Sequence, residues 1–159
     1  MKLRIGQQTI EGWRKDLKRA GQREIGGVLF GEHVGESDFR IVEATQQMRG
    51  GGAGAFRRKG SKARKDLKKL LARYNDPQHF NYLGEWHSHP NAPSSPSPVD
   101  QRTMYRLLAH PEMEAKFLVL LINRLDDAGD LEMSATAFLR SGQKFGCEIV
   151  MESFEKGTQ

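Results

Sequence analysis

His87 and His89 stand one residue apart in the stretch "EWHSHPNAPSSPSPVD", and ten residues separate the second of them from Asp100. Successive side chains on a strand alternate faces, so the two imidazoles point the same way, ~7 Å apart at the backbone, and can lean together onto one ion. Zinc sites that do chemistry commonly take three protein ligands and leave the fourth position to water. Asp100 is the third ligand on offer, because the loop 90–99 can fold the start of a following helix back over the end of the strand. Ser97 lies three residues before it.

The elements that must hold these residues follow from periodicity. "FNYLGEWHSH" reads as a strand carrying both histidines, and "SPVDQRTMYRLLAH" as a helix with Ser97 at its cap and Pro98 in the first turn, where the missing N–H costs nothing. "KFLVLLINRL" is a nearly continuous apolar run and is predicted to be a buried central strand. "LEMSATAFLR" and "QKFGCEIVME" read as two further strands joined at "SGQ". Near the start, Ile10, Trp13, Leu17 and Ala20 recur at helical spacing over residues 9–21, which end at Gly21. "IGGVLFGE" and "DFRIVEATQ" form a hairpin across "HVGES", and "RGGGAGA" at 49–55 is a loop by composition. In the basic segment that follows, Ser61 is the expected cap and Ala63, Leu67, Leu70 and Leu71 form the apolar stripe. The sum is a mixed α/β domain with helices packed on one sheet, a single domain over 1–159.

Composition narrows the chemistry. The single cysteine, Cys147, excludes an internal disulfide and any zinc site built from several thiolates, so histidine and carboxylate must hold a metal. Cys147 itself sits in an apolar strand and reads as an inert buried thiol. No stretch approaches the ~20 apolar residues of a membrane span, and the N-terminus lacks the apolar block of a signal peptide, so the expected location is the cytoplasm, with no membrane partner. There is no His-Glu-x-x-His helix and no Pro-Cys-x-x-Cys pair, which excludes other common zinc hydrolases and the nucleobase deaminases.

The ordered set Glu24 in "REIGGVLFGE", His87, His89 and Pro90 in "HSHP", and Ser97 and Asp100 in "SPVD" resembles the JAMM/MPN-plus (JAB domain) metalloproteases. "GGVLFG" after the glutamate, and Gly84 and Trp86 ahead of His87, resemble the family's flanking context. The resemblance implies an MPN/JAB, cytidine-deaminase-like fold, with a central mixed β-sheet flanked by about three helices. It implies one catalytic zinc ion on His87, His89 and Asp100, with Glu24 as general base and Ser97 as a hydrogen-bond donor to the oxyanion. The implied reaction is zinc-dependent hydrolysis of the amide at the C-terminus of a ubiquitin-like protein, by deconjugation or precursor processing. Brevity points to the prokaryotic branch, whose deubiquitinase-like members accompany activating and conjugating enzymes in bacterial and antiphage operons. The alternatives are a JAMM-type peptidase acting on a small amide metabolite, a phage tail or a cell-wall peptide, and a non-catalytic interaction scaffold.

Plainer readings compete at several positions. Ser-x-x-Asp at a helix start is also a capping box, but capping does not explain two alternating histidines at the mouth of the same loop. Glu85 shares a strand face with His87 and His89 and rivals Glu24 as base; only the family motif favours Glu24, leaving Glu85 a supporting or surface residue. Ser88 is expected to face away and pack or hydrogen-bond locally, and Trp86 to be core. His33, His79 and His110 read as solvated. The segment Arg57 to Arg73 holds nine basic residues against Asp66 alone. It is either a solvated face or a dock for an acidic partner, and nucleic acid is the weaker reading because no known motif and no interleaved aromatics accompany the charge.

Overall fold

The structure, a computed structural model, describes residues 1–47 and 60–153. In chain order the elements are β1 (Lys2–Gly6), α1 (Gln7–Ala20), β2 (Gly26–Gly35), β3 (Asp38–Ala44), α2 (Gly60–Tyr74), β4 (Phe80–Ser88), α3 (Pro98–Leu108), β5 (Phe117–Leu125), β6 (Leu131–Leu139), β7 (Lys144–Gly146) and β8 (Glu148–Glu152). The strands form one mixed sheet in the order β7-β6-β5-β4-β2-β3-β1-β8. The α/β class, the central mixed sheet and the three helices expected from sequence are all present. The glycine-rich loop 49–55, Arg57, Arg58, Lys59 and the side chain of Ser61, the expected cap of α2, lie outside the described residues.

The apolar run at 117–125 is central because both of its edges are paired, parallel to β4 and antiparallel to β6. Its side chains alternate between two cores. Val119 and Leu121 join Leu3, Ile5, Leu29, Trp86 and the stripe of α1, Ile10, Trp13, Leu17 and Ala20. Leu118, Leu120 and Ile122 face the other way, against Met104 and Leu108 of α3. Trp86 is 1% exposed and packs 5.2 Å from the ring of Trp13, as its core reading requires.

Two features depart from expectation. β1, for which no element was expected, pairs parallel with both β3 and β8. "QKFGCEIVME", expected to be one strand, divides at Cys147: β7 pairs with β6, while β8 pairs with β1 at the opposite end of the sheet order. The Cys147 N–H donates to the Ala135 carbonyl (2.8 Å) and the Glu148 N–H to the Met1 carbonyl (3.0 Å), so the two ends of the sheet meet on one continuous segment. That closure leaves fewer edges open to other chains. Cys147 is half-buried rather than fully enclosed, and burial raises the pKa of its thiol. No described helix is long and apolar enough to cross a membrane.

β4 and β5 run parallel, which requires a crossover, and α3 supplies it. A crossover helix must start near the end of the strand it follows. The N-terminus of α3 is therefore placed beside the C-terminal end of β4, where open α/β sheets tend to bind ligands.

Candidate metal centre

Geometry at the end of β4 brings together the three residues singled out as ligands. Ligand atoms of His87, His89 and Asp100 all lie within 4.8 Å of one another. His87 Nε2 is 3.0 Å from His89 Nε2 and 3.3 Å from Asp100 Oδ1, and His89 Nε2 is 3.3 Å from Asp100 Oδ2. Their side chains are 12%, 8% and 15% exposed, so little water screens them.

Each is held by an identifiable device. His87 is on β4; His89 lies just past the strand end, where its N–H donates to the Asn123 carbonyl of β5 (2.9 Å). The His89 Nδ1 faces the Pro93 carbonyl at 2.8 Å. A carbonyl only accepts, so Nδ1 carries a proton; a neutral ring then presents its Nε2 lone pair to the cluster, and a protonated one donates from Nε2 to Asp100. Asp100 is the third residue of α3. The Ser97 N–H donates to Asp100 Oδ2 (2.8 Å) and the Asp100 N–H to Ser97 Oγ (3.1 Å), which completes a capping box with Pro98 in the first turn. The capping box thus includes a candidate metal ligand. The loop between is pinned by the Ser134 hydroxyl of β6, which donates to the Ser94 carbonyl. Neither Pro93 nor Ser134 was legible beforehand: one acts through its main chain, and the other reaches the loop only through strand pairing.

Glu24 reaches the site by register. Antiparallel pairing sets Gly26 opposite His87, the Ser88 N–H donates to the Ile25 carbonyl (2.8 Å), and the Ile25 N–H donates to Ser88 Oγ (3.0 Å). Continuing this ladder sets half-buried Glu24 beside His89, whose pKa its charge helps to raise. Ser88 packs away from solvent at 1% exposure, and its hydroxyl takes the Ile25 N–H from across the sheet. Glu85 is not a surface residue: it is 7% exposed and accepts a hydrogen bond from the Tyr82 hydroxyl (3.1 Å). His33, His79 and His110 are exposed, as expected.

Electrostatics favour a cation here. Burial alone would raise the Asp100 pKa, but hydrogen bonds from His87 and His89 outweigh it and hold the carboxyl well below the usual range. The same Asp100 hydrogen bond raises the pKa of His89, with burial opposing and the Pro93 carbonyl and the charge of Glu24 assisting. Two imidazole nitrogens 3.0 Å apart beside a carboxylate hold either a shared hydrogen or a cation between them. Two imidazoles and one carboxylate fit zinc with one position open. Proton and metal compete for the same Nε2 lone pair, so metal affinity is expected to fall as pH drops through the raised His89 pKa. The loss should approach about tenfold per pH unit for one competing proton. A competition titration against a chromogenic chelator checks this, and affinity that stayed flat from neutral pH to below the ordinary histidine range would contradict it.

With that geometry in hand, comparison with known proteins is informative. A profile of prokaryotic homologues of the JAB domain matches residues 7–137. The chain is similar to a "CD-NTase/cGAS isopeptidase" of Enterobacter hormaechei, 34% identical over 134 residues that cover 83% of this chain and 72% of that protein. It is also similar to a "probable metalloprotease" of Sinorhizobium fredii, 28% identical over 122 residues, covering 74% and 73%. In fold it resembles a solution structure from Desulfitobacterium hafniense, with a TM-score of 0.66 at 18% identity over 97% of this chain and 95% of that one. A second, from Salinibacter ruber, gives 0.54 at 18% identity over 94% and 91%.

Proposed function

Because this chain belongs to the family of prokaryotic JAB-domain homologues, we propose that it is a zinc-dependent isopeptidase that hydrolyses the amide at the C-terminus of a ubiquitin-like protein. The observation that carries the reading is the convergence of His87, His89 and Asp100 with Glu24 set beside them by strand register. We read the whole of 1–159 as one such domain and place its action in the cytoplasm. The name of the Enterobacter relative, an isopeptidase, supports an isopeptide bond as the target. Conjugating and activating enzymes are then the natural companions.

His87, His89 and Asp100 would hold the zinc. When bound, it supplies Lewis acidity for the scissile carbonyl and lowers the pKa of water to about 7. Glu24 orients the attacking water, takes its proton, and returns a proton to the departing amine nitrogen. Ser97 Oγ already accepts from the Asp100 N–H, which leaves its hydroxyl hydrogen to donate to the oxyanion of the tetrahedral intermediate. No covalent bond to the protein forms.

Ser97→Ala is expected to keep zinc and lower kcat about 100-fold. The lost cap costs about 1 kcal/mol of stability. Metal content, kcat and a denaturation curve measured on one preparation separate the two effects; an unchanged kcat would reduce Ser97 to a cap.

Substrate identity is tested by expressing tagged Glu24→Ala with the genes that neighbour its own, capturing it, and identifying what it holds by mass spectrometry. A ubiquitin-like protein joined through its C-terminus to a lysine or a peptide is the expected result. Cell-wall fragments or small amides held by zinc-loaded protein would replace it with a peptidase of another substrate class. A wild type that binds a partner and cleaves nothing would mean a scaffold.

A further inference from the structure

Glu24 belongs to no regular element: α1 ends at Ala20 and β2 begins at Gly26, so the residue lies short of the strand pairing that orders the rest of the sheet. Its orientation depends on what holds the peptide planes that follow it. Ser88 holds two of them. The Ser88 N–H donates to the Ile25 carbonyl (2.8 Å), which fixes the plane between Ile25 and Gly26. The Ser88 hydroxyl oxygen accepts the Ile25 N–H (3.0 Å), which fixes the plane between Glu24 and Ile25.

The two bonds make different demands on sequence. The first is main chain to main chain, and any residue other than proline at position 88 could make it. The second needs a side-chain acceptor. Ile25 and Ser88 are both buried, so water does not stand in for that acceptor. Ser88 also lies between His87 and His89, and the His89 N–H ties the same strand end to β5 through the Asn123 carbonyl (2.9 Å). One hydroxyl therefore links the peptide of Glu24 to the strand end that carries two of the three candidate ligands. A similar bond occurs farther along β2, where the Val28 N–H donates to Thr45 Oγ1 (2.9 Å), but it holds no peptide of Glu24.

We propose that Ser88 is a positioning residue, whose hydroxyl fixes the peptide of Glu24 and so aims the Glu24 carboxylate at the attacking water. The inference rests on the hydrolase reading with Glu24 as base, and it gives a task to a residue that strand alternation alone would leave as a spacer between two histidines. Ser88 stands outside the donor set, so its hydroxyl can be removed without removing a ligand. The cost falls on rate, because misplacing a reacting group by about 1 Å can cost about 100-fold.

The test compares the parent with Ser88→Ala, Ser88→Thr and Thr45→Val, all as full zinc-loaded chains hydrolysing an aminocoumarin amide of a peptide ending in Gly-Gly, under conditions where every variant is folded. Ser88→Ala is expected to keep its zinc and its KM while kcat falls at least about tenfold. Threonine, which returns the hydroxyl, restores kcat, and Thr45→Val leaves it unchanged. In a Glu24→Gln background Ser88→Ala lowers the rate no further, since residues that act as a unit are not additive. Amide hydrogen exchange in the metal-free chain reads the restraint without turnover: the Ile25 N–H exchanges at least about tenfold faster in Ser88→Ala, while the His89 N–H is unaffected. If the alanine variant does not fold, Ser88→Cys, which keeps the volume with a weak acceptor, is measured in its place.

An equal fall of kcat in Thr45→Val would make the effect a general loosening of β2 and overturn the proposal. So would an Ile25 N–H as protected in Ser88→Ala as in the parent, or a fully active Ser88→Ala beside an inactive Glu24→Gln. A fully active Glu24→Gln, or a parent that cleaves no amide, would instead overturn the enzymatic reading, and the role of Ser88 with it.

Discussion

Asp100→Ala is expected to reduce bound zinc from one equivalent to background and to abolish hydrolysis, while Glu24→Gln keeps the zinc and loses at least about 1,000-fold in kcat. The difference follows from position. Asp100 offers an oxygen 3.3 Å from each histidine Nε2, so its removal leaves two ligands where three are needed. Glu24 stands outside that donor set, and in the proposed mechanism it acts on water. Because Asp100 also caps α3, Asp100→Asn serves as the control: its amide oxygen still accepts from the Ser97 N–H but carries no charge for the metal. Zinc content by elemental analysis, set beside single-turnover rates, checks both variants. A zinc-replete, fully active Glu24→Gln would move the base role to Glu85, which lies on the same face of β4 as His87, and an inactive Glu85→Gln would confirm the move.

The second large effect is far from any reacting atom. A Cβ on Gly84 would lie 1.8 Å from the Val119 carbonyl oxygen, in the parallel pairing of β4 with β5, and φ there is +150°. No rotation of a side chain relieves a clash with backbone. Gly84→Ala must break the central pairing, and a loss beyond about 4 kcal/mol, or failure to fold, is expected. Gly129→Ala is the control. It shares a positive φ, +82°, but nothing lies within 4 Å of its Cβ, so it should cost only about 1–2 kcal/mol of local strain. Urea midpoints of the two variants measure the contrast. A Gly84→Ala protein as stable as Gly129→Ala would mean that β4 and β5 can part locally without loss of the fold.

That steric demand explains why a glycine stands within the histidine strand, three residues before His87, a pattern the sequence displays without its reason. Other features were legible with their reasons. Alternation in "HSH" set both imidazoles on one side, because a strand has a period of two. Ser97, Pro98 and Asp100 announced a helix start through capping chemistry, which is local and therefore visible in a few consecutive residues. The apolar run 117–125 announced a strand buried on both faces, and helical spacing found all four core residues of α1.

What the sequence could not carry was anything that depends on which strand lies beside which. Glu24 and Glu85 were rival candidates on chemistry alone; antiparallel register between β2 and β4 pairs Gly26 with His87 and so brings half-buried Glu24 toward His89, while Glu85 is buried against the Tyr82 hydroxyl. The Pro93 carbonyl and the Ser134 hydroxyl hold the ligand loop through main-chain and cross-strand contacts that no residue type advertises. β1 carries too few residues to show a period, and the division of residues 144–152 at Cys147 between two distant strands is a property of sheet closure. Local chemistry thus determined the candidate ligands, the cap and the period of each element. Tertiary structure decided the partners, because hydrogen-bond register joins residues tens of positions apart and is set by the packing of whole strands.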